Sequence, residues 1–201
     1  MNFLLASIMD NASWCDAVCR AHGITGEFGA QAWKSACRTP RYYPHAVTVD
    51  PAAAPADVLS GIDVSEGCSV KDSFATLDLS GFGFSVLFEA QWIRCPSGPP
   101  VPGWRRASST DFPAALLADR SVAVLARGDD RVVAHRGPGV AGLCNFAADD
   151  PDDAWPGAVA AVSAAFPGVP VVGYEHGDAL ERALRHGAEP LGPLRVWFRA
   201  E

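Results

Sequence analysis

The chain has 201 residues, of which 49% are hydrophobic and 19% charged, and its formal net charge is −7 at pH 7. These values exclude a disordered chain, and a domain of this length buries enough surface to fold without disulfides or metals. The acidic balance argues against a general nucleic-acid-binding protein, which needs a basic face. No apolar run approaches the roughly 20 residues of a membrane-spanning helix, so we expect no membrane partner.

The first residues and the cysteines predict a cytoplasmic protein. The opening sequence MNFLLASIMDNASW has no basic stretch and no small-residue cleavage site, so it does not resemble a signal peptide. Six cysteines occur, and in a chain of this size we interpret them as free thiols in a reducing compartment. Cys15, Cys19 and His22 lack a second ligand pair at zinc-site spacing, and we therefore predict no metal site.

In the first half of the chain, hydrophobic periodicity and turn residues predict a few short elements. A helix is expected over 13–22, capped by Asn11 or Ser13 and ended by Gly23. The remaining predictions are a loop over AWKSACRTPRYYPH, a strand over 45–49, a helix in PADVLSGI and a strand over 84–93.

A segment rich in proline and glycine predicts a division of the chain. Residues 97–103 form a linker between an N-terminal half, 1–96, and a C-terminal half, 104–201. The second half predicts a hairpin in SVAVLARGDDRVVAHR, a strand in GVAGLCNFA and a helix over 152–166. It then predicts a strand in VPVVGYE, a helix capped by Asp178 and a last strand in PLRVWFR.

This order, from roughly Trp104 to Arg199, resembles the fold of the GCN5-related N-acetyltransferases (GNATs). The most specific part is VPVVGYEHGDALERALRHGAEPLGPLRVWF, which is similar to the family's strand, helix, turn and closing strand. The resemblance implies an α/β (α+β) fold, with a GNAT-like mixed sheet and flanking helices. The second half would be complete, and the first half a degenerate second copy.

The resemblance also implies an acyl-CoA donor, bound where two central parallel strands separate. In the family, a glycine-rich loop at a helix N-terminus holds the pyrophosphate. Here that position reads ADDPDDAW, with aspartates 149, 150, 152 and 153 and no such loop. Because carboxylates repel phosphate, acetyl-CoA or another acyl-CoA is disfavoured as a cofactor, and no other cofactor is predicted.

Two polar clusters follow predicted strands, where α/β proteins bind ligands. Lys71, Asp72 and Ser73 form the first, with an acid–base or oxyanion role or, alternatively, a salt-bridged turn. Tyr174, Glu175 and His176 form the second. Glu175 would be a general base whose pKa is raised at the end of an apolar strand, and the resemblance implies a general-acid tyrosine. The alternative is that Glu175 and His176 cap the next helix.

Further residues are candidates for substrate binding. Arg38, Arg41 and Tyr43 lie in a loop suited to a phosphate, sulfate or carboxylate group, or to an acidic carrier protein. The alternative is a packed aromatic loop with solvated arginines. Asn145 could orient a substrate at the end of its strand or cap that strand. His22, His135 and His186 are expected to be structural or solvent-facing.

Three functions remain open at this point. The first is a GNAT-type acyltransferase acting on a small polar substrate, which a carrier could tether, in a cleft between the halves. The second keeps the scaffold without CoA and performs proton transfer or elimination through Lys71, Asp72, Glu175 and His176. Either enzyme would belong to biosynthesis, such as secondary metabolism. The third is a non-catalytic partner or binding subunit of a biosynthetic complex.

Overall fold

The computed structural model describes residues 1–107 and 111–200, which form two compact units. Unit 1 comprises Met1–Asn11 and Trp92–Leu191, and unit 2 comprises Ala12–Gln91 and Gly192–Glu201. Residues 97–103 contain no helix or strand, as expected of a linker. The predicted division into halves on either side of them stays a prediction.

Helices and strands alternate along much of the chain. The helices are α1 (Phe3–Ala21), α2 (Pro55–Leu59), α3 (Ala114–Leu117), α4 (Pro151–Ala165) and α5 (Gly177–Arg185). The strands are β1 (Gly26–Phe28), β2 (Ala32–Ser35), β3 (Ala46–Thr48), β4 (Ser69–Asp72), β5 (Ser85–Cys95), β6 (Arg105–Arg106), β7 (Val122–Arg127), β8 (Asp130–Gly137), β9 (Val140–Ala147), β10 (Val171–Glu175) and β11 (Glu189–Phe198). Because α1, β5 and β11 cross the unit boundaries, each contributes residues to both units.

In unit 1 the strand order is β11-β5-β10-β9-β8-β7-β6. The predicted hairpin is β7 and β8, which pair from Val122↔His135 to Arg127↔Asp130. Strand β9 is antiparallel to β8 and parallel to β10, and α4 connects the two parallel strands. The predicted order of hairpin, strand, helix, strand, helix and strand is therefore confirmed, as is a mixed α/β class with flanking helices.

Helix α4 forms because its sequence supplies a cap, helix formers and a stop. The Asp150 side chain accepts from the N–H groups of Asp152 and Asp153, and Pro151 occupies the first helical position. The helix ends just before Pro167. Its buried residues, including Trp155, pack on the apolar residues of β7 to β10, and the Trp155 ring meets Phe146 edge to face.

Unit 2 has the strand order β1-β2-β3-β4-β11-β5. Strands β1, β2 and β3 pair antiparallel in succession, β3 and β4 are parallel, and β11 is antiparallel to β4. The core beneath α2 contains Val58, Val70, Leu79, Phe84 and Trp197. The predicted helix in PADVLSGI and the strands over 45–49 and 84–93 are confirmed by α2, β3 and β5.

Helix α1 begins ten residues before its predicted start. The structure places the beginning at Phe3, where the Asn2 side chain accepts from the Leu5 N–H at 3.3 Å, as a capping residue does. Asn11 and Ser13, the predicted caps, therefore lie inside the helix. The predicted end is confirmed, because Gly23 adopts a φ of +75° directly after the last turn.

Two further local predictions are wrong. Residues 32–35, expected as a loop, form strand β2, which is paired with both β1 and β3. A strand of four residues is too short to show a clear alternation of polar and apolar residues, so the sequence does not reveal it. In the structure Trp33 is buried and its indole N–H donates to Asp16 at 3.0 Å. The N-cap of α5 is His176, while Asp178 lies in the first turn, where its charge suits the helix dipole.

Candidate functional site

Over the described residues, the parallel pairing of strands β9 and β10 stops short of their C-terminal ends. Their parallel register pairs, over the described residues, are Val171↔Ala141 and Val172↔Gly142. The backbones are still close one residue later, because a Cβ at Gly173 would lie 3.0 Å from the Leu143 carbonyl oxygen. We call the region beyond this point, residues 144–147 of β9 and 174–175 of β10, the β9–β10 opening.

A β-bulge at Asn145 shapes this opening. The register between β8 and β9 passes from Val133↔Cys144 to Arg131↔Ala147, so β9 carries one extra residue. Asn145 adopts the left-handed conformation with φ +48°, which asparagine tolerates better than most residues. Its side chain is exposed, so a polar amide stands beside the opening, where the sequence predicted a substrate-orienting residue.

Glu175 is the carboxylic acid at the end of β10. Burial raises the pKa of its carboxyl group from 4.5 to about 7, although the nearby Arg182 guanidinium acts in the opposite direction. The neighbouring Cys95 thiol has a pKa of about 12, chiefly because it is buried and secondarily because of the charge of Glu175. Glu175 can therefore exchange a proton near neutral pH, whereas Cys95 stays a thiol.

The three predicted residues of this cluster point in different directions. Successive strand residues face opposite sides of a sheet, so Tyr174 lies on the face opposite Glu175. There the Tyr174 ring meets Trp92 edge to face, with 5.5 Å between ring centroids. His176 is exposed at the start of α5. A shared role for all three would thus require groups on both faces of the strand.

Three of the four aspartates at the start of α4 are engaged within the protein, namely Asp150, Asp152 and Asp153. Asp150 caps α4 by accepting from two N–H groups at 3.2 Å each. Asp152 is 2.8 Å from Arg185 and Asp153 is 2.8 Å from Arg127. The ion pair with Arg185 lowers the pKa of the Asp152 carboxyl. Two backbone donors that could meet a phosphate at this helix end are consequently occupied by the protein's own carboxylate.

The predicted cluster lies in unit 2, where Lys71 and Asp72 are the last two residues of β4 and do not follow the strand, and Ser73 comes directly after it. Asp72 is fully buried and accepts from the Leu77 N–H at 2.8 Å and the Phe74 N–H at 3.4 Å. The Ser73 N–H donates to Thr48 Oγ1 at 2.7 Å. Lys71 is buried in register with Val47 and Val196. The contacts of Asp72 favour the alternative in which it organises a turn.

The predicted anion-binding loop is also in unit 2. Arg38 donates to Ser65 Oγ at 2.9 Å and to the Glu66 carbonyl, and it lies 3.6 Å from Asp63. These contacts attach the loop to the segment before β4. The exposed Arg41 stacks on the Tyr42 ring at 4.8 Å. The Tyr43 ring packs edge-on against Trp14, which favours the packed-loop alternative for this tyrosine.

Asp10 and His135 in unit 1 form a buried polar pair that the sequence analysis did not identify. His135 was expected to be structural or solvent-facing, and Asp10 was not singled out. Asp10 Oδ1 and His135 Nδ1 are 2.8 Å apart, and both side chains are at most 5% exposed. Burial raises the pKa of the Asp10 carboxyl, against the lowering effects of His135 and the Gly137 N–H. The feature of the sequence that reflects this pair is a glycine in each of β8 and β9, Gly137 and Gly142. A side chain at either position would collide with the Asp10 carboxylate.

Within the described ranges, 1–107 and 111–200, no group of three or more His, Cys, Asp or Glu side chains is placed to hold a metal ion. In the same ranges, no helix combines the length and apolarity needed to cross a bilayer.

No protein-family model matches the sequence, and no curated protein gives a significant match. Among solved structures, the chain is similar to a functionally unknown conserved protein from Staphylococcus epidermidis, with a TM-score of 0.57 and 10% identity over 87% of this chain and 93% of that one. It is also similar to a proposed acetyltransferase from Pyrococcus horikoshii, with a TM-score of 0.45 and 16% identity over 66% of this chain and about half (53%) of that one.

A third similar structure is a GCN5-related N-acetyltransferase from Sphaerobacter thermophilus, with a TM-score of 0.43 and 10% identity over 96% of this chain and 92% of that one. The similarity to the Staphylococcus epidermidis protein shows a shared fold. At 10% to 16% identity, none of the three transfers a function to this chain.

Proposed function

We propose that the protein is an enzyme that transfers an acyl group from a thioester to a small polar acceptor at the β9–β10 opening, with Glu175 as the general base. The observation that carries this proposal is the Glu175 carboxyl at the end of β10, whose pKa is about 7 because it is buried. A general base is most effective when its pKa lies near the working pH. The element order of unit 1, which resembles that of acyltransferases, supports the choice of acyl transfer.

In this reaction Glu175 accepts a proton from the amine or hydroxyl group of the acceptor. The acceptor then attacks the carbonyl carbon of the thioester, a C–N or C–O bond forms, and the C–S bond breaks. The leaving thiolate takes up the proton that Glu175 accepted. Asn145, exposed at the bulge, supplies an amide that can orient the substrate. Arg182 lies near Glu175 and stabilises its ionised form, so it keeps the pKa from rising further.

The donor is a short or carrier-tethered thioester rather than one held by its nucleotide. The residues at the start of α4 do not fit a pyrophosphate, because Asp150 already uses two of the N–H groups there. Acetyl-CoA would have to bind through its pantetheine arm alone. The occupied helix end also supports a second candidate, an acid–base reaction such as elimination that uses Glu175 without an acyl donor.

Thiol release distinguishes these candidates. The purified protein would be mixed with S-acetyl-pantetheine or acetyl-CoA and with a panel of small amines and amino acids. We expect comparable turnover with both donors and a rate that rises with pH through about 7. Turnover that needs the nucleotide would contradict the proposed donor, and no thiol release with any acceptor would favour the acid–base candidate.

Substitution of Glu175 tests the proposed base. The Glu175→Gln variant should lower kcat by roughly 10²- to 10⁴-fold, the usual contribution of a general base. Glu181→Gln is the matched control, since Glu181 is an exposed residue of α5, and it should keep wild-type activity. Full activity of Glu175→Gln would overturn the assignment.

A further inference from the structure

Two glycines leave the space that the Asp10 carboxylate occupies beside His135. A Cβ at Gly142 would lie 2.0 Å from Asp10 Oδ2, and one at Gly137 would lie 2.5 Å from Oδ1. Any side chain at either glycine would therefore displace the carboxylate. Asp10 also receives a hydrogen bond from the Gly137 backbone. Helix α1, strand β8 and strand β9 thus each contribute to seating one buried carboxylate beside one imidazole.

A buried Asp–His pair is an inefficient way to stabilise a fold. Removing a carboxylate from water costs several kcal/mol, and well-packed apolar residues of similar size often stabilise a core at least as well. The proposed acyl transfer through Glu175 does not use this pair, which lies on the other face of the strands. A buried carboxylate that orients an imidazole is, however, one of the arrangements that activate a hydroxyl or thiol nucleophile.

A thiol occupies the adjoining position on the same face. In the β8–β9 register His135 opposes Gly142 and Val133 opposes Cys144. Residues two apart on a strand share a face, so His135 and Cys144 project from the same side on neighbouring strands as a diagonal pair. Since His135 Nδ1 is directed at Asp10, Nε2 is the ring atom on the side away from the carboxylate. Cys144 is half-buried and borders the β9–β10 opening.

We propose that Cys144 is a nucleophilic thiol, that His135 is its base, and that Asp10 is a positioning residue which holds the imidazole. The substrate class is an acyl thioester, and in this the inference rests on the proposed function. His135 takes the proton of the Cys144 thiol as Sγ attacks the thioester carbonyl. The new acyl–Sγ bond forms, the bond to the donor sulfur breaks, and the leaving thiol takes the proton from His135. In the second step the acceptor attacks the acyl carbonyl and a C–N or C–O bond forms. The acyl–Sγ bond breaks, and the acceptor's proton passes through His135 to Sγ, which restores the thiol.

The other cysteines provide contrasts within the same chain. Burial raises the pKa of the Cys19, Cys68 and Cys95 thiols to about 12, 11 and 12, so they are poor nucleophiles. Cys37 is exposed and serves as an internal reference for an accessible thiol. The charged or titratable residues of unit 1 that share the face of Cys144 include Asp10, Arg94, Arg105, Arg131, His135, Tyr174 and Glu189.

Alkylation by iodoacetamide, followed by peptide mapping, tests the activated thiol in the full chain. At neutral pH we expect Cys144 to react at least about tenfold faster than Cys37, because a histidine partner increases the thiolate fraction. In His135→Asn the advantage should disappear. In Asp10→Asn the pH midpoint of Cys144 alkylation should move upward while Cys37 is unchanged. An equal or slower rate at Cys144 in the wild-type protein overturns the proposal, even if the variants fail to fold.

Acylation separates this inference from the proposed function. After incubation with S-acetyl-pantetheine and an acid quench, we expect an acetyl group on the Cys144 peptide and none in Cys144→Ala. Rapid alkylation without an acetyl adduct would support the activated thiol, overturn the covalent step and leave the proposed function standing. Thioester turnover that persists in Cys144→Ala would support the proposed function and overturn the covalent step.

Discussion

At the scale of single residues, the surroundings of each carboxyl group decide what it can do. Burial raises the pKa of the Glu175 and Asp10 carboxyls, whereas hydrogen bonds from Ser65 and Ser80 lower the pKa of Asp63 and Asp78 at the surface. The pKa of similar acids is therefore raised where burial dominates and lowered where hydrogen bonds at the surface dominate. Glu175 alone among these four combines a pKa of about 7 with a place at the β9–β10 opening.

The raised pKa of Glu175 makes stability depend on pH. Below pH 4.5 the carboxyl is protonated in both states, and its contribution to stability is fully present. As the pH rises through about 7, that contribution is lost, with a slope of at most about 1.4 kcal/mol per pH unit. Urea unfolding should show the wild-type protein losing stability relative to Glu175→Gln across this window.

The exposed Glu181 gives the control for this pH effect. Glu181→Gln should follow the wild-type curve throughout, because it changes an exposed residue of α5 and leaves Glu175 in place. A constant difference between the wild-type protein and Glu175→Gln at every pH would show that the folded-state pKa of Glu175 is unshifted.

At the scale of elements, the first turn of helix α4 has two effects. Its aspartates stabilise the helix, and they also disfavour a phosphate ligand at that helix end. Asp150 satisfies two N–H groups at the helix start, and the flanking Asp152 and Asp153 pair with Arg185 and Arg127. Two of the four negative charges of ADDPDD are thereby paired with arginines within unit 1. The same hydrogen bonds remove the donors on which a phosphate at this helix end would depend.

Removal of the cap should weaken the protein by a measurable amount. We expect Asp150→Ala to lower the free energy of unfolding by about 1 kcal/mol, since it leaves N–H groups at the helix start without their side-chain acceptor. The neighbouring exposed Asp149 carries the same charge, and Asp149→Ala should change stability by less than about 0.5 kcal/mol. Equal losses in urea unfolding would show that charge, and not capping, is responsible.

At the scale of the whole molecule, each compact unit is built from two separated stretches of chain. Unit 1 needs Met1–Asn11, which carries Asp10, and unit 2 needs Gly192–Glu201, which carries the β11 residues paired with β4. A cut at the predicted linker would separate these stretches from their units. Each of the predicted halves, 1–96 and 104–201, would therefore lack a stretch of chain that one of the units needs.

Expression of the two predicted halves tests this dependence. Fragment 104–201 lacks Asp10 and would leave His135 buried without its carboxylate, and fragment 1–96 lacks the strand that pairs with β4. We expect neither fragment to unfold cooperatively in urea, whereas the full chain does. A cooperative transition in either fragment would show that the predicted half folds on its own.

Local patterns in the sequence were sufficient for the elements around the opening. The apolar run in VPVVGYE predicted β10, and the acidic residue at its end marked Glu175 as a base candidate whose pKa burial would raise. Periodicity and turn residues likewise predicted the β7–β8 hairpin, α4 and α5. The sequence predicts these elements because each depends on residues that are close together along the chain.

The sequence by itself determined the class of fold, the element order of the second half and Glu175 as a candidate general base. Only the tertiary structure decided that Asp72 accepts from the N–H groups of Phe74 and Leu77, that Tyr174 and Glu175 face opposite sides, and that Asp10 pairs with His135. Asp10 and His135 are 125 positions apart, and no local pattern relates them. The reason is physical: periodicity reports local geometry, whereas the pairing of buried polar groups depends on which distant segments exclude water together.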